Sequence, residues 1–315
     1  MERLQNLLKG RSRLALMCFA ILWIMAFHYS MYGNLLRIGV VDFLFGKGYL
    51  GVDIFFFLSA YGLCFSLEGN GIGKYYLHRL TKLYPLYLIY LLIFILAFRN
   101  NLDAPWYRVA VLQISGLATF TQMDVEWFIP ALTILYILFP LIYKALEKTF
   151  KWGFVASAVV VTALALLPVV LKVFVNELFV SRLAIIAAGV YTFLALRDGN
   201  REFLLKLYGL CAVIGLCYIG SDKLNVSMTG SLLMPVILYA IAQIGIAVPK
   251  CRAIDIIGSH TLEIYLAQNL ALNHFMGSYN FSFALKSVIA IVIIFVLSFL
   301  LFGVQYAFNK SLKIR

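Results

Sequence analysis

The sequence predicts an all-α, polytopic bundle of about ten transmembrane helices, with one further re-entrant or interfacial segment. Three observations predict it. Of 315 residues, 63% are hydrophobic and only 13% charged, with a mean hydropathy of +0.94. A soluble domain carries about 25% charged residues. Apolar runs of about twenty residues recur along the chain, each long enough to cross a bilayer core as a helix. Lys and Arg are also unevenly placed between those runs, as cytoplasmic loops require.

The predicted spans are 13–33, 48–67, 79–98, 127–143, 152–172, 180–196, 203–220, 230–249, 256–275 and 286–308. The N-terminal MERLQNLLKGRSR has the basic start of a signal peptide. No small-residue cleavage site follows and the apolar run is long, so an uncleaved first helix is expected. The segment 105–121 is apolar but interrupted by Arg108, Gln113, Ser115 and Gly116, which predicts the re-entrant or interfacial piece. With ten alternating spans and a cytoplasmic N-terminus, 18 of the 26 Lys and Arg fall inside and 8 outside. The outside set is Arg37, Lys47, Arg99, Arg108, Lys172, Arg182, Lys223 and Lys286. A spanning 105–121 would invert the later loops and lose this agreement, so both termini are expected in the cytoplasm. Trp106 and Trp127 sit where interfacial aromatics are expected. No polar linker divides the chain, which predicts one membrane domain over 1–315 with no appended soluble domain.

The net charge of +12 is explained by this topology and does not argue for nucleic-acid binding. The five cysteines (Cys18, Cys64, Cys211, Cys217, Cys251) have neither metal-like spacing nor a disulfide framework and read as small core residues. The chain carries no phosphate-binding glycine loop, no metal-ligand cluster and no nucleophilic serine elbow.

The informative residues are polar ones inside apolar runs, because a charge at the membrane centre costs roughly 2.5–3.5 kcal/mol and is kept mainly where it pairs or works. His28 lies in the outer half of the first span. An imidazole can move a proton near neutrality; the ordinary alternative is a histidine bonded to a neighbouring helix. Asp53, early in the second span, needs a basic partner or His28, unless it is interfacial. Arg79 and Lys82 open the third span three residues apart, on one helix face. They suit a phosphate-bearing ligand or snorkel to lipid phosphates. Glu126 and Trp127 start a span that contains Pro130 and Pro140, and proline is tolerated where helices pack or line a cavity. Glu263, Tyr265, Gln268 and Asn269 lie in the ninth span, where Glu263 is expected to face the bundle interior. Their spacing does not require that all four line one cavity. His260 and His274 read as structural, and nothing assigns His78 a role. A polar interior of this kind fits an enzyme or a transporter.

Four motifs in order carry a resemblance. GVDIFFFLSAYG (51–62), YYLHRLTKLYPLY (75–87), EWFIPALTILYILFP (126–140) and HTLEIYLAQ (260–268) resemble the helix motifs of the membrane-bound acyltransferase family 3, integral-membrane O-acyltransferases. The resemblance runs along nearly the whole chain. It implies transfer of an acyl group from cytoplasmic acyl-CoA, with acetyl-CoA the expected donor and no bound cofactor, to a hydroxyl of a cell-surface or lipid-linked polysaccharide. It places the catalytic base on His28 and the CoA-phosphate contacts on Arg79 and Lys82. Asp53, Ser59, Glu126, Trp127, Glu263, Tyr265 and Gln268 become supporting cavity residues. The implied setting is a bacterial-type cytoplasmic membrane, with the bilayer, the donor and the glycan as partners. Three positions depart from the family pattern. Met17 stands where an Arg is usual, with Arg13 one turn earlier on nearly the same face to assist. Gln268 stands for a His, and Ala60 for a Gly. Two other readings stay open: a transport protein for a glycan or acyl group, and a catalytically degenerate family member.

Overall fold

A computed structural model describes residues 1–32, 39–102, 104–121, 126–170, 177–219, 232–245, 249–278 and 281–311. The described residues are overwhelmingly helical and contain no strand. The helices are α1 (Glu2–Leu7), α2 (Gly10–Ser30), α3 (Gly39–Gly46), α4 (Leu50–Phe98), α5 (Trp106–Ser115), α6 (Phe128–Lys151), α7 (Phe154–Val170), α8 (Glu177–Val180) and α9 (Leu183–Arg197). There follow α10 (Arg201–Ile219), α11 (Leu233–Ile244), α12 (Arg252–Ser259), α13 (Thr261–Gln268), a π-helical run Asn269–Phe275, α14 (Met276–Ser278) and α15 (Phe283–Ser311).

Among the described residues, five stretches are long and apolar enough to cross a membrane: Gly10–Ser30, Leu50–Phe98, Phe128–Lys151, Leu178–Arg197 and Phe283–Ser311. Phe154–Pro168 and Leu233–Ile244 are apolar but shorter. Apolarity all round a helix has two outcomes here. On α9, Ala184 through Leu196 are all buried among other helices. On α15 only Ala290, Leu297 and Leu301 are buried, while Val296, Phe295 and Phe299 lie bare on the outside, as a lipid-facing helix requires.

The structure keeps one expectation and alters two. Spans 48–67 and 79–98 lie on two helical limbs of α4, separated by a kink at Gly71, which takes φ 71°, ψ 167°. That backbone is open to glycine and strained for other residues. The span 256–275 is not one rod: α12 ends at Ser259, His260 sits at φ −113°, ψ 31°, and α13 passes into the π run after Gln268. Arg182, counted among the outer loop cations, is 1% exposed in the interior. The segment 105–121 forms only the ten-residue α5 and the 3₁₀ turn Leu117–Phe120. Ten helical residues rise about 15 Å, half a hydrocarbon core. Of the expected loop and tail cations, Arg37, Lys172, Lys223, Lys313 and Arg315 lie outside the described residues, as do parts of spans 13–33, 152–172, 203–220 and 230–249.

Close backbone approaches set the position of α2. A Cβ built on Gly258 of α12 would meet the Leu14 carbonyl oxygen at 2.1 Å, so the two helices touch through bare backbone there. Glycine at 51 serves the same purpose on the other side, where an added Cβ would lie 2.5 Å from the Ala20 carbonyl oxygen. Proline supplies the polar ties. Pro85 cannot donate to the Thr81 carbonyl, nor Pro140 to that of Tyr136. The Gln305 amide nitrogen donates to the first at 3.3 Å and the Tyr75 hydroxyl to the second at 3.1 Å. Thus α15 and α6 are each bonded to α4 through a carbonyl that a proline sets free.

Candidate functional site

The sequence-predicted residues gather in two places, at opposite ends of α2. Arg13 and His28 are fifteen residues apart on that helix, which puts them about 22 Å apart along its axis.

At the first end, Arg13, Met17, Ser59, Arg79, Lys82, Glu263 and Tyr265 line one cavity with Gly62, Tyr136 and several apolar side chains. The glycine at 62 leaves room for the Arg13 guanidinium, since a Cβ there would meet Nη2 at 3.2 Å. The Arg79 guanidinium lies 5.9 Å from the centroids of both Tyr75 and Tyr136. Two ring faces at that range attract a cation and hold it in place. The Nε atoms of Arg13 and Arg79 are buried and have no hydrogen-bond partner. Lys82 is exposed. Three cations thus converge with Glu263 as the one carboxylate among the lining residues. That carboxylate is engaged: His260 Nδ1 lies 3.1 Å from its Oε1. A preorganised cluster of cations with spare donors is a site for an anion, and Arg prefers phosphate or carboxylate.

At the other end, His28, Glu126, Trp127, Arg182, Tyr265 and Asn269 share a second cavity, with Tyr32, Tyr49, Asn273 and His274. His28 Nδ1 lies 2.8 Å from Gln268 Oε1. A carboxamide oxygen only accepts, so Nδ1–H donates and the lone pair is left on Nε2. That is the tautomer of a general base. Glu126 Oε1 accepts from the Tyr265 hydroxyl at 2.9 Å and from the Phe128 amide at 2.7 Å. The Tyr90 hydroxyl donates to Asn269 Oδ1 at 2.6 Å. Asp53 does not reach the cavity. It pairs with Arg182 at 3.1 Å, both side chains almost fully enclosed, and the Arg182 guanidinium lies 5.7 Å from the Trp127 ring centroid. Arg182 also donates to the Leu178 carbonyl and the Ser181 hydroxyl. The pair therefore stiffens the cavity wall on which Trp127 sits. Trp127 is half-buried in this wall.

Tyr265 lines both cavities. Its ring packs against Phe128, centroids 4.8 Å apart, and its hydroxyl is tied to Glu126. The two rings form the wall between the cationic end and the histidine end.

Arg182 was not among the expected site residues. Its signal was available: Asp53 and Arg182 are lone charges in otherwise apolar segments, and each needs an opposite charge. Tyr136 and Asn273 gave no signal beyond their residue type.

A family model described as an acyltransferase domain matches residues 15–303. No curated protein matches the chain, and no solved structure matches it.

Proposed function

Since the chain belongs to acyltransferase family 3, we propose that it moves an acyl group, most simply acetyl, from acyl-CoA to a hydroxyl of a cell-surface or lipid-linked polysaccharide. The observation that carries this reading is the division of labour along α2. Three cations suited to donor phosphates surround one end, and a histidine with a free Nε2 stands at the other. The proposed setting is a bacterial-type cytoplasmic membrane, crossed about ten times by a single domain with both termini inside.

In this mechanism Arg13, Arg79 and Lys82 hold the donor phosphates while the thioester arm passes the Phe128–Tyr265 wall. His28 Nε2 removes the proton of the acceptor hydroxyl. The oxygen attacks the thioester carbonyl carbon, the C–O bond forms, the C–S bond breaks and the thiolate leaves. The proton held by His28 passes to that sulfur, which completes the exchange and restores the base. Gln268 keeps Nδ1 protonated throughout, the part that an orienting carboxylate plays for other catalytic histidines. Trp127 offers a flat apolar face to a sugar ring, and Ser59, Glu126, Glu263 and Tyr265 shape the path between the two ends. Met17 removes one cation from the family pattern, and Arg13 supplies a guanidinium to the same cavity.

The test is transfer of labelled acetyl from acetyl-CoA to the glycan fraction of membrane vesicles. His28→Ala is expected to abolish it with insertion unchanged. Undiminished labelling by that variant would sink the assignment.

A further inference from the structure

The histidine cavity holds a carboxylate with a free oxygen that the transfer steps do not use. Glu126 is 3% exposed and lines this cavity beside His28. Its two oxygens are not alike. Oε1 accepts from the Tyr265 hydroxyl at 2.9 Å and from the Phe128 amide at 2.7 Å. Oε2 is buried with no hydrogen-bond partner. A buried carboxylate oxygen without a donor is costly, so a donor brought by a ligand stabilises the site.

The carboxylate and the base are held from one turn of α13. Tyr265 ties Glu126, and Gln268, three residues on, lies 2.8 Å from His28 Nδ1. A single short element thus fixes the two groups relative to one another. The π run that follows brings Asn269, Asn273 and His274 to the same cavity, and such runs are frequent at functional sites. Asn269 Oδ1 is occupied by the Tyr90 hydroxyl, which leaves its amide nitrogen to donate. Around the basic Nε2 the cavity therefore offers a carboxylate acceptor, amide donors and the face of Trp127. A few placed polar groups beside an apolar face fix the orientation of a small ligand.

The charge of this cavity is one-sided. Arg182 lines it too, but Asp53 answers that charge, and Nη1 is taken by the Leu178 carbonyl and the Ser181 hydroxyl. With His28 and His274 neutral, Glu126 is the one uncompensated charge among the lining residues. An anionic ligand placed here would meet like charge, which is a strong device against a wrong partner.

We propose that Glu126 selects the acceptor: Oε2 accepts a hydrogen bond from a second hydroxyl of the sugar whose first hydroxyl faces His28 Nε2, and the carboxylate turns away uronates and other acidic sugars. The acceptor is then a neutral sugar with two free hydroxyls. The inference rests on the acyl-acceptor reading of this cavity, while its test needs no donor and no turnover. Glycan labelling without this selectivity would leave the enzyme and remove the inference; the selectivity without labelling would do the reverse.

Binding to the full chain in phosphatidylcholine nanodiscs would be measured by saturation-transfer NMR, with no acyl-CoA present. The probes are the methyl glycosides of glucose, galactose and mannose, each paired with its uronide. At least one neutral glycoside is expected to bind on the order of tenfold tighter than its uronide. Glu126→Gln keeps the size of the side chain and removes its charge, and it is expected to shrink that ratio severalfold. A deoxy analogue of the best neutral glycoside, lacking the hydroxyl held by Oε2, is expected to bind about tenfold more weakly to the wild-type chain, with little such loss in Glu126→Ala. Equal binding within every pair by the wild-type chain would overturn the proposal without recourse to any variant, as would binding of no neutral glycoside. An unchanged ratio in Glu126→Gln, or deoxy losses that are the same with and without the carboxylate, would overturn it too.

Discussion

At the scale of single residues, the decisive contact is that between His28 and Gln268. Glutamine cannot titrate, yet its oxygen does the one thing the mechanism asks of a partner at Nδ1, which is to accept. With it in place Nε2 is the only basic nitrogen of the ring. Without it the two neutral tautomers compete and the ring can turn. Gln268→Leu is therefore expected to lower kcat on the order of 100-fold, part of the range that a general base supplies, with KM for the donor little changed. Gln268→Glu keeps an accepting oxygen and should retain much of the rate, which a merely space-filling role would not predict. Equal damage by both variants, or a change confined to KM, would remove Gln268 from this role. The Asp53–Arg182 pair belongs to the same scale but to a different job. Truncating one partner of a buried pair costs about 3–5 kcal/mol because the other charge is left behind, so its contribution is rigidity beneath Trp127.

At the scale of helices, prolines and glycines do much of the positioning. The tie from Tyr75 to the Tyr136 carbonyl exists because Pro140 leaves that carbonyl free, and it fixes the two rings that flank Arg79. Tyr75→Phe should cost about 1–3 kcal/mol, the penalty of an unsatisfied buried acceptor. It is read as a lower melting temperature in detergent, together with weaker donor binding as Arg79 loosens. An unchanged melting temperature would show that water or another side chain takes over the carbonyl. The apolar runs made most helices legible in the sequence, and Arg108, Gln113 and Gly116 marked α5 as too short and too polar to span. The break at His260 had a local signal in Gly258, Ser259 and Thr261, which are weak helix formers, but the apolar run around them reads as one span. Gly258 must press its backbone against Leu14, and the helix restarts at Thr261 beyond that contact. The break within 50–98, by contrast, was legible. The stretch 68–74 is polar and glycine-rich, which reads as a break, and the backbone leaves helical geometry there at Gly71. The site residues were legible as a set, but their partition was not. Spacing along a helix tells which residues share a face, and it does not tell which other helix closes that face.

At the scale of the whole molecule, the partition becomes the argument. About 22 Å of helix separates Arg13 from His28, within a hydrocarbon core of about 30 Å. A ligand held by the cations cannot be carried to the histidine by a rotamer change, so the reacting end must be on a long arm. Tyr265 and Phe128 meet between the two cavities, so the arm must pass that wall while the bulk of the donor stays outside it. On the proposed function, donor and acceptor would approach from opposite faces of the membrane and transfer would be vectorial. In sealed vesicles with the cytoplasmic face outward, external acetyl-CoA should label an acceptor enclosed in the lumen. In vesicles of the reverse orientation the same external donor should give no label until the membrane is permeabilised. Labelling from either face in intact vesicles would mean that both substrates share one entrance, and the two-ended reading of α2 would fail. Labelling that follows orientation would leave the wall at Tyr265 as the step that every acyl group has to cross.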